Sequence, residues 1–261
     1  MAKRSGFLYT RAMNDNETYV YGRHAVKEAL RSKPEAIKKV YVAADVTDTE
    51  LLRLIKQMNI PSSVLDRAHL PKGMFEDSVH QGVVALIILP KLMRTYKDFI
   101  AGLTISENTA LVILGEVQDP HNVGAVIRSA AAFGVAGVLI PEHRQAPVTG
   151  TVVKVSAGMA FRVPLVTIGN VNNAVRDLKD KGFWIYGLDG EAKQSVHDET
   201  FDKPSAFILG NEATGIREKT LDLCDIPLRI PMHSQAESLN ASASAAVALY
   251  AWSVKHPVAL M

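Results

Sequence analysis

Six short runs between residues 110 and 231 are apolar almost throughout: ALVILGE, AGVLIP, VPLVTI, FWIYGL, AFILG and IPLRIP. A strand with one wet face alternates apolar and polar residues, whereas a strand that is apolar at every position is covered on both sides. Helical patterns lie between most of these runs, so the segment predicts an α/β fold, a parallel sheet with helices on both faces. Sheets of this kind bind ligands beyond the carboxyl ends of their strands. That rule directs attention to the segments following LGE, FILG and LRIP.

The first half reads as a smaller α/β unit. GRHAVKEALRSK is helical, AIKKVYVAAD a strand, TDTELLRLIKQMN helical, PSSVLD a short strand and QGVVALIILP a buried one. The expected organisation is a flexible tail over 1–18, a small domain over 19–90, a linker with one short helix over 91–107 and the larger domain over 108–261. With 261 residues, 48% of them hydrophobic, the chain has length enough for two cores. A net charge of +2 is too small to indicate nucleic acid, so any basic footprint must be local. The single cysteine, Cys224, excludes a disulfide framework and a multi-cysteine zinc site, and no histidine spacing suggests another metal. The N-terminus lacks an apolar core for a signal or anchor, so a cytoplasmic protein without membrane contact is expected.

Three stretches carry candidate chemistry. In DPHNVGAVIRSAAAFG, Val123, Val126, Ile127 and Ala130 form the buried stripe of a helix, with Asn122 as its expected cap and Gly134 as its stop. Arg128 points away from that stripe among glycine and alanines, as either a solvated arginine or a functional one on a close-packing face. In AFILGNEATGI, a buried strand enters Gly210 and a tight turn carrying Glu212. That is either a plain connection or a ligand edge. The third, RIPMHSQAESLNASASAAVALYAWSV, predicts a terminal helix of small residues that is buried on nearly all sides, with Ser238 and Asn240 at its start.

Taken in order, NVGAVIRSAAAFGV, ILGNEATGI and IPMHSQAESLNASASAA resemble the three motifs of the SpoU family of RNA ribose 2'-O-methyltransferases, in the SPOUT superfamily. YVYGRHAVKEAL and VHQGVVALI are similar to the RNA-binding domain, of ribosomal-protein type, found in RlmB-like members. The resemblance implies a parallel sheet with a trefoil knot, S-adenosylmethionine as cofactor, and a homodimer. It implies cofactor contacts at Gly210, Ile230 and Leu239, with Met232 and Leu188 as further ones. It places Arg128 near the attacking hydroxyl, surrounded by Asn122, Glu212, Ser238 and Asn240. Arg128 is then either a transient proton acceptor or an electrostatic contact for phosphate and hydroxyl; a guanidinium's persistent charge favours the second.

On the first helix Arg23, Lys27 and Arg31 recur at intervals of four and share a face, with Lys38 and Lys39 close by. They are either a solvated charged face or a phosphate contact. The reading as a whole is methylation of a guanosine ribose in large-subunit rRNA, with tRNA as the alternative RNA. A non-catalytic RNA-binding protein of the same fold is the alternative from another class.

Overall fold

The computed structural model describes residues 16–66, 81–236 and 238–261; most of the expected tail lies outside the described residues. Contacts divide the chain into two compact units, 1–91 and 92–261.

In the first unit, β1 (Glu17–Tyr21), α1 (Arg23–Ser32), β2 (Ile37–Val42), α2 (Thr49–Gln57), β3 (Ser62–Val64) and β4 (Val83–Ile88) follow in that order. They build a four-stranded sheet of order β1-β4-β2-β3. β4 runs between two antiparallel partners, and residues 83–87 are buried, in keeping with its unbroken apolar run. β1 starts at Glu17, inside the stretch expected to be tail, because its alternating pattern is too short to stand out. Asp48 caps α2 by accepting from the Leu51 amide at 3.0 Å.

The second unit holds β5 (Met93–Thr95), α3 (Tyr96–Ala101), β6 (Ala110–Leu114), α4 (Pro120–Ala132), β7 (Gly137–Pro141), α5 (Gly150–Val155) and β8 (Leu165–Ile168). It continues with α6 (Val171–Asp180), β9 (Trp184–Leu188), β10 (Gln194–Ser195), β11 (Ser205–Leu209), α7 (Glu218–Leu221), β12 (Ile226–Arg229) and α8 (Ala241–Lys255). The eight strands form one sheet of order β10-β12-β9-β11-β6-β7-β8-β5, and every neighbouring pair is parallel. The expected α/β architecture is therefore present. β5 belongs to the segment expected to be a linker; three residues are too few to show a period, and pairing with β8 decides their conformation. On one face Leu111, Ile113, Val166, Ile185 and Ile208 pack with Val175 and Leu178 of α6. The α4 stripe of Val123, Val126, Ile127 and Ala130 is fully buried.

Strand order places the functional edge. From β6 the chain moves outward through β7 and β8, then returns to the other side of β6 for β9, β11 and β12. β6 and β11 are thus neighbours at the point where the winding reverses, and the loops leaving their carboxyl ends frame a crevice.

Candidate active site

A cavity of about 320 Å³ opens on the β11 side of that crevice, over the carboxyl ends of β9, β11 and β12, and Leu188, Gly210, Ile230, Met232 and Leu239 all line it together with Ser238 and Glu212. The five residues expected to hold a cofactor come from the ends of β9 and β11 and from the segments 230–236 and 238–240 beyond β12. Gly210 is required sterically: a β-carbon there would lie 2.2 Å from the carbonyl carbon of Gly215 and 2.4 Å from the Ile216 nitrogen. That close return is the 211–215 turn, in which Asn211 and Gly215 exchange backbone hydrogen bonds at 2.9 Å and Gly215 takes a φ of 68°. Met232 and Leu239 leave 38% and 40% of their surface exposed at the cavity. A lining of mixed polar and apolar groups, with two open apolar side chains and a tight backbone turn, suits a ligand with a flat ring and a polar tail.

Beside the cavity a polar chain links the three motif stretches. Glu212 accepts from the amides of Gln118 and Asp119 at 3.1 and 3.2 Å and from Asn122 Nδ2 at 2.9 Å. Asn122 Oδ1 in turn accepts from Asn240 Nδ2 at 2.8 Å. Asn240 Oδ1 accepts from the Ser242 and Ala243 amides, so Asn240 is the cap of α8. One carboxylate fixes the orientation of both amides: because Glu212 only accepts, Asn122 must turn its NH2 toward it and its oxygen toward Asn240. Burial alone would raise the Glu212 pKa, but hydrogen bonds from Asn122 and the Gln118 and Asp119 amides outweigh it and hold the carboxyl below its usual range. Asn122 is not the cap of α4 as expected. Asp119 takes that place, accepting from the His121 amide at 2.8 Å, and frees Asn122 for Glu212.

Residues 109–250 match the SpoU rRNA methylase family, and residues 19–92 match the RNA 2'-O ribose methyltransferase substrate-binding family. The chain belongs to the SpoU methylase family. Among relatives of this SpoU-family chain, the 23S rRNA (guanosine-2'-O-)-methyltransferase RlmB of Nitrosomonas europaea is 35% identical, covering 89% of both chains. RlmB of Vibrio parahaemolyticus is 32% identical over 89% of this chain and 94% of its own. Among solved structures, the SpoU methyltransferase AviRb of Streptomyces viridochromogenes, in complex with AdoMet, superposes with a TM-score of 0.78 at 24% identity. That match covers 93% of this chain and 91% of AviRb, and shows a shared fold.

Not every expected residue of this SpoU-family chain joins the cleft. Arg128 lies six residues beyond Asn122 on α4, is exposed, and is not among the residues lining the cavity. Gly124, expected on the open face with Arg128, is buried: a β-carbon there would lie 2.7 Å from Val155 Cβ, so the glycine serves the crossing of α5. The helix α8 is not buried all round. Val247, Tyr250 and Val254, at helical spacing, stay exposed, while Ala245, Ala248, Leu249 and Trp252 face inward and Tyr250 meets Phe133 of α4.

In the first unit the basic residues are largely engaged. Lys27 pairs with Asp48 and Glu50 at 3.1 and 3.2 Å, Arg31 with Glu50, and Lys38 with Glu17 at 2.6 Å. Arg23 Nε donates to the Gln81 carbonyl at 3.3 Å, and the Lys39 ammonium sits 5.0 Å from the centre of the Tyr41 ring. Sequence reasoning missed the residues that set the 116–119 loop. Gln145 closes both backbone bonds of Val117, accepting from its amide at 2.9 Å and donating to its carbonyl at 2.8 Å. Asn211 Nδ2 donates to the Glu116 carbonyl at 2.9 Å. Neither has a sequence signal beyond being a polar residue just past a strand.

Proposed function

We propose that this chain transfers a methyl group from S-adenosylmethionine to the ribose 2'-hydroxyl of a guanosine in 23S rRNA. The observation that carries the proposal is the convergence of three separate motif stretches on one cleft, with the polar chain of Glu212, Asn122 and Asn240 at its edge. The names of relatives matching nearly the whole chain support the substrate, rRNA over tRNA.

S-adenosylmethionine, when bound, supplies a methyl group activated by its sulfonium. Leu188, Gly210, Ile230, Met232 and Leu239 would hold it and keep water from it. Ser238 and the oriented amide of Asn122 position the acceptor ribose, and the anionic Glu212 keeps that amide aligned. Arg128 acts as an electrostatic contact for phosphate and hydroxyl. Its place outside its own cleft, and the exposed apolar stripe of α8, support a homodimer through α4 and α8 in which Arg128 serves the second copy's cleft. Arg23, Lys27, Arg31, Lys38 and Lys39 contribute a weak phosphate contact because their charges are largely shared with neighbouring groups. Among the described residues no helix is long and apolar enough to cross a membrane and no group of three ligands could hold a metal. The proposed setting is the cytoplasm.

Calorimetric titration with S-adenosylmethionine followed by tritiated methyl transfer to 23S rRNA tests the reading. The expected result is saturable binding and label at one guanosine. Binding without label in any RNA would overturn the enzymatic part, and sedimentation as a monomer at micromolar concentration would overturn the dimer.

A further inference from the structure

A second cavity, of about 230 Å³, opens at the same edge of the sheet, over the carboxyl ends of β6, β7, β8 and β11. It is separated from the first by the loop after β6 and the turn after β11. Arg217 Nη2 bonds Glu116 Oε2 across that wall at 2.7 Å, and Asn211 Nδ2 holds the Glu116 carbonyl. Two residues at its rim adopt left-handed backbone that side chains with a β-carbon rarely take: Glu116 at φ 70° and Arg144 at φ 58°.

The lining is unbalanced chemically. Its one carboxylate, Glu116, is neutralised by Arg217. Asn170 Oδ1 is occupied by the Asn173 amide at 3.1 Å, and Asn172 Oδ1 by the Thr220 hydroxyl at 2.7 Å. Both oxygens are turned to these donors, which leaves the NH2 groups as the free donors of the two side chains. The guanidinium of Arg144 and the ring of His143 are exposed and have no partner among the described residues. What remains on offer is one unpaired guanidinium, that of Arg144, with the His143 ring and the amide donors, beside the exposed Glu142 carboxylate near Gly169; their complement is an acceptor-rich ligand whose negative charge meets Arg144.

We infer that this second cavity binds one nucleotide of the RNA substrate, flanking the methylated one, through its phosphate and the acceptor atoms of its base. The inference rests on the RNA-methyltransferase reading above. An RNA strand whose ribose enters the first cleft has neighbouring nucleotides within reach of the shared wall, and the volume suits one nucleotide rather than a duplex. Arg144 meets the phosphate, while Asn170 and Asn172 donate to base or phosphate oxygens.

The test uses the full chain and a double variant chosen to keep the fold. Arg144→Gly relieves the left-handed backbone, and Asn170→Asp keeps the oxygen that caps α6 while removing the donor. Filter binding of in vitro transcribed 23S rRNA across a salt series should show Kd raised about tenfold or more and the salt slope lowered by about 1. The calorimetric Kd for S-adenosylmethionine should stay within about twofold. RNA affinity and slope unchanged in the double variant would overturn the inference. So would inorganic phosphate that binds the wild type and not the variant while RNA binding is equal in both, since that marks a free-phosphate site. A wild type that methylates RNA alongside a variant that binds it normally sinks the cavity assignment alone. A wild type that binds the transcript without transferring methyl, with weakened binding in the variant, sinks the enzymatic reading alone.

Discussion

Replacing Glu212 by glutamine changes one oxygen into an NH2 and so tests the orientation of the whole polar chain. In the better of its two orientations the new NH2 faces the Gln118 amide, turning a 3.1 Å hydrogen bond into a contact between two donors. The remaining oxygen, now neutral, keeps the Asp119 and Asn122 donors at 3.2 and 2.9 Å. The other orientation opposes two donors and obliges Asn122, and with it Asn240, to turn over. A lost charge-assisted hydrogen bond costs about 1.5–3 kcal/mol when buried. Glu212 is exposed on one side, so solvent screening reduces this to about 1 kcal/mol. For a unit of this size the melting temperature should fall by about 2–4 °C. Turnover should fall further, by about tenfold or more, because each 1.4 kcal/mol of lost transition-state alignment is a factor of ten. Differential scanning fluorimetry and tritiated methyl transfer to rRNA read the two effects. Wild-type melting together with turnover within about twofold would refute the claim that this carboxylate orients the asparagines.

The acid limb follows from the same group. Its pKa is lowered on folding, so its contribution is complete above the unfolded value of about 4.3 and is lost as the pH falls through the folded value. The melting curves of wild type and Glu212→Gln should therefore converge at acidic pH, and a constant gap would contradict this. Gly210→Ala must push the 210–216 turn apart, since its β-carbon would sit 2.2 Å from Gly215; cofactor affinity measured by calorimetry should drop more than about tenfold. Gly134→Ala places a β-carbon 2.0 Å from the Ala259 carbonyl at a φ of 72°. It should release the C-terminal turn and lower the melting temperature by about 3 °C or more, and an unchanged curve would show that the turn adds no stability.

How far the sequence was legible depended on where each instruction lies. The strands β6 to β9, β11 and β12 were readable because full burial leaves unbroken apolar runs, and α4 because its stripe and Gly134 stop are local. β5 and β10 were not, since three and two residues show no period and are decided by their neighbours. Asn122 was expected to cap α4 in place of Asp119 because both are good caps, and only the distant Glu212 selects between them. The burial of Gly124 and the exposed stripe of α8 depend on which helices cross, which no single helix records. Ion pairs that occupy Lys27 and Arg31 come from α2, some twenty residues away in sequence, so the basic face looked freer than it is.

Asn240 ends the segment that lines the cleft and also begins the C-terminal helix. The amides of Ser242 and Ala243, which it shields from solvent exchange, therefore sit one residue from any molecule seated there. Linkage is reciprocal: whatever steadies the segment slows the opening of that first turn by the same free energy with which the turn steadies the segment. Two backbone hydrogens thus act as a built-in gauge of occupancy, legible by deuterium uptake without labelling either substrate.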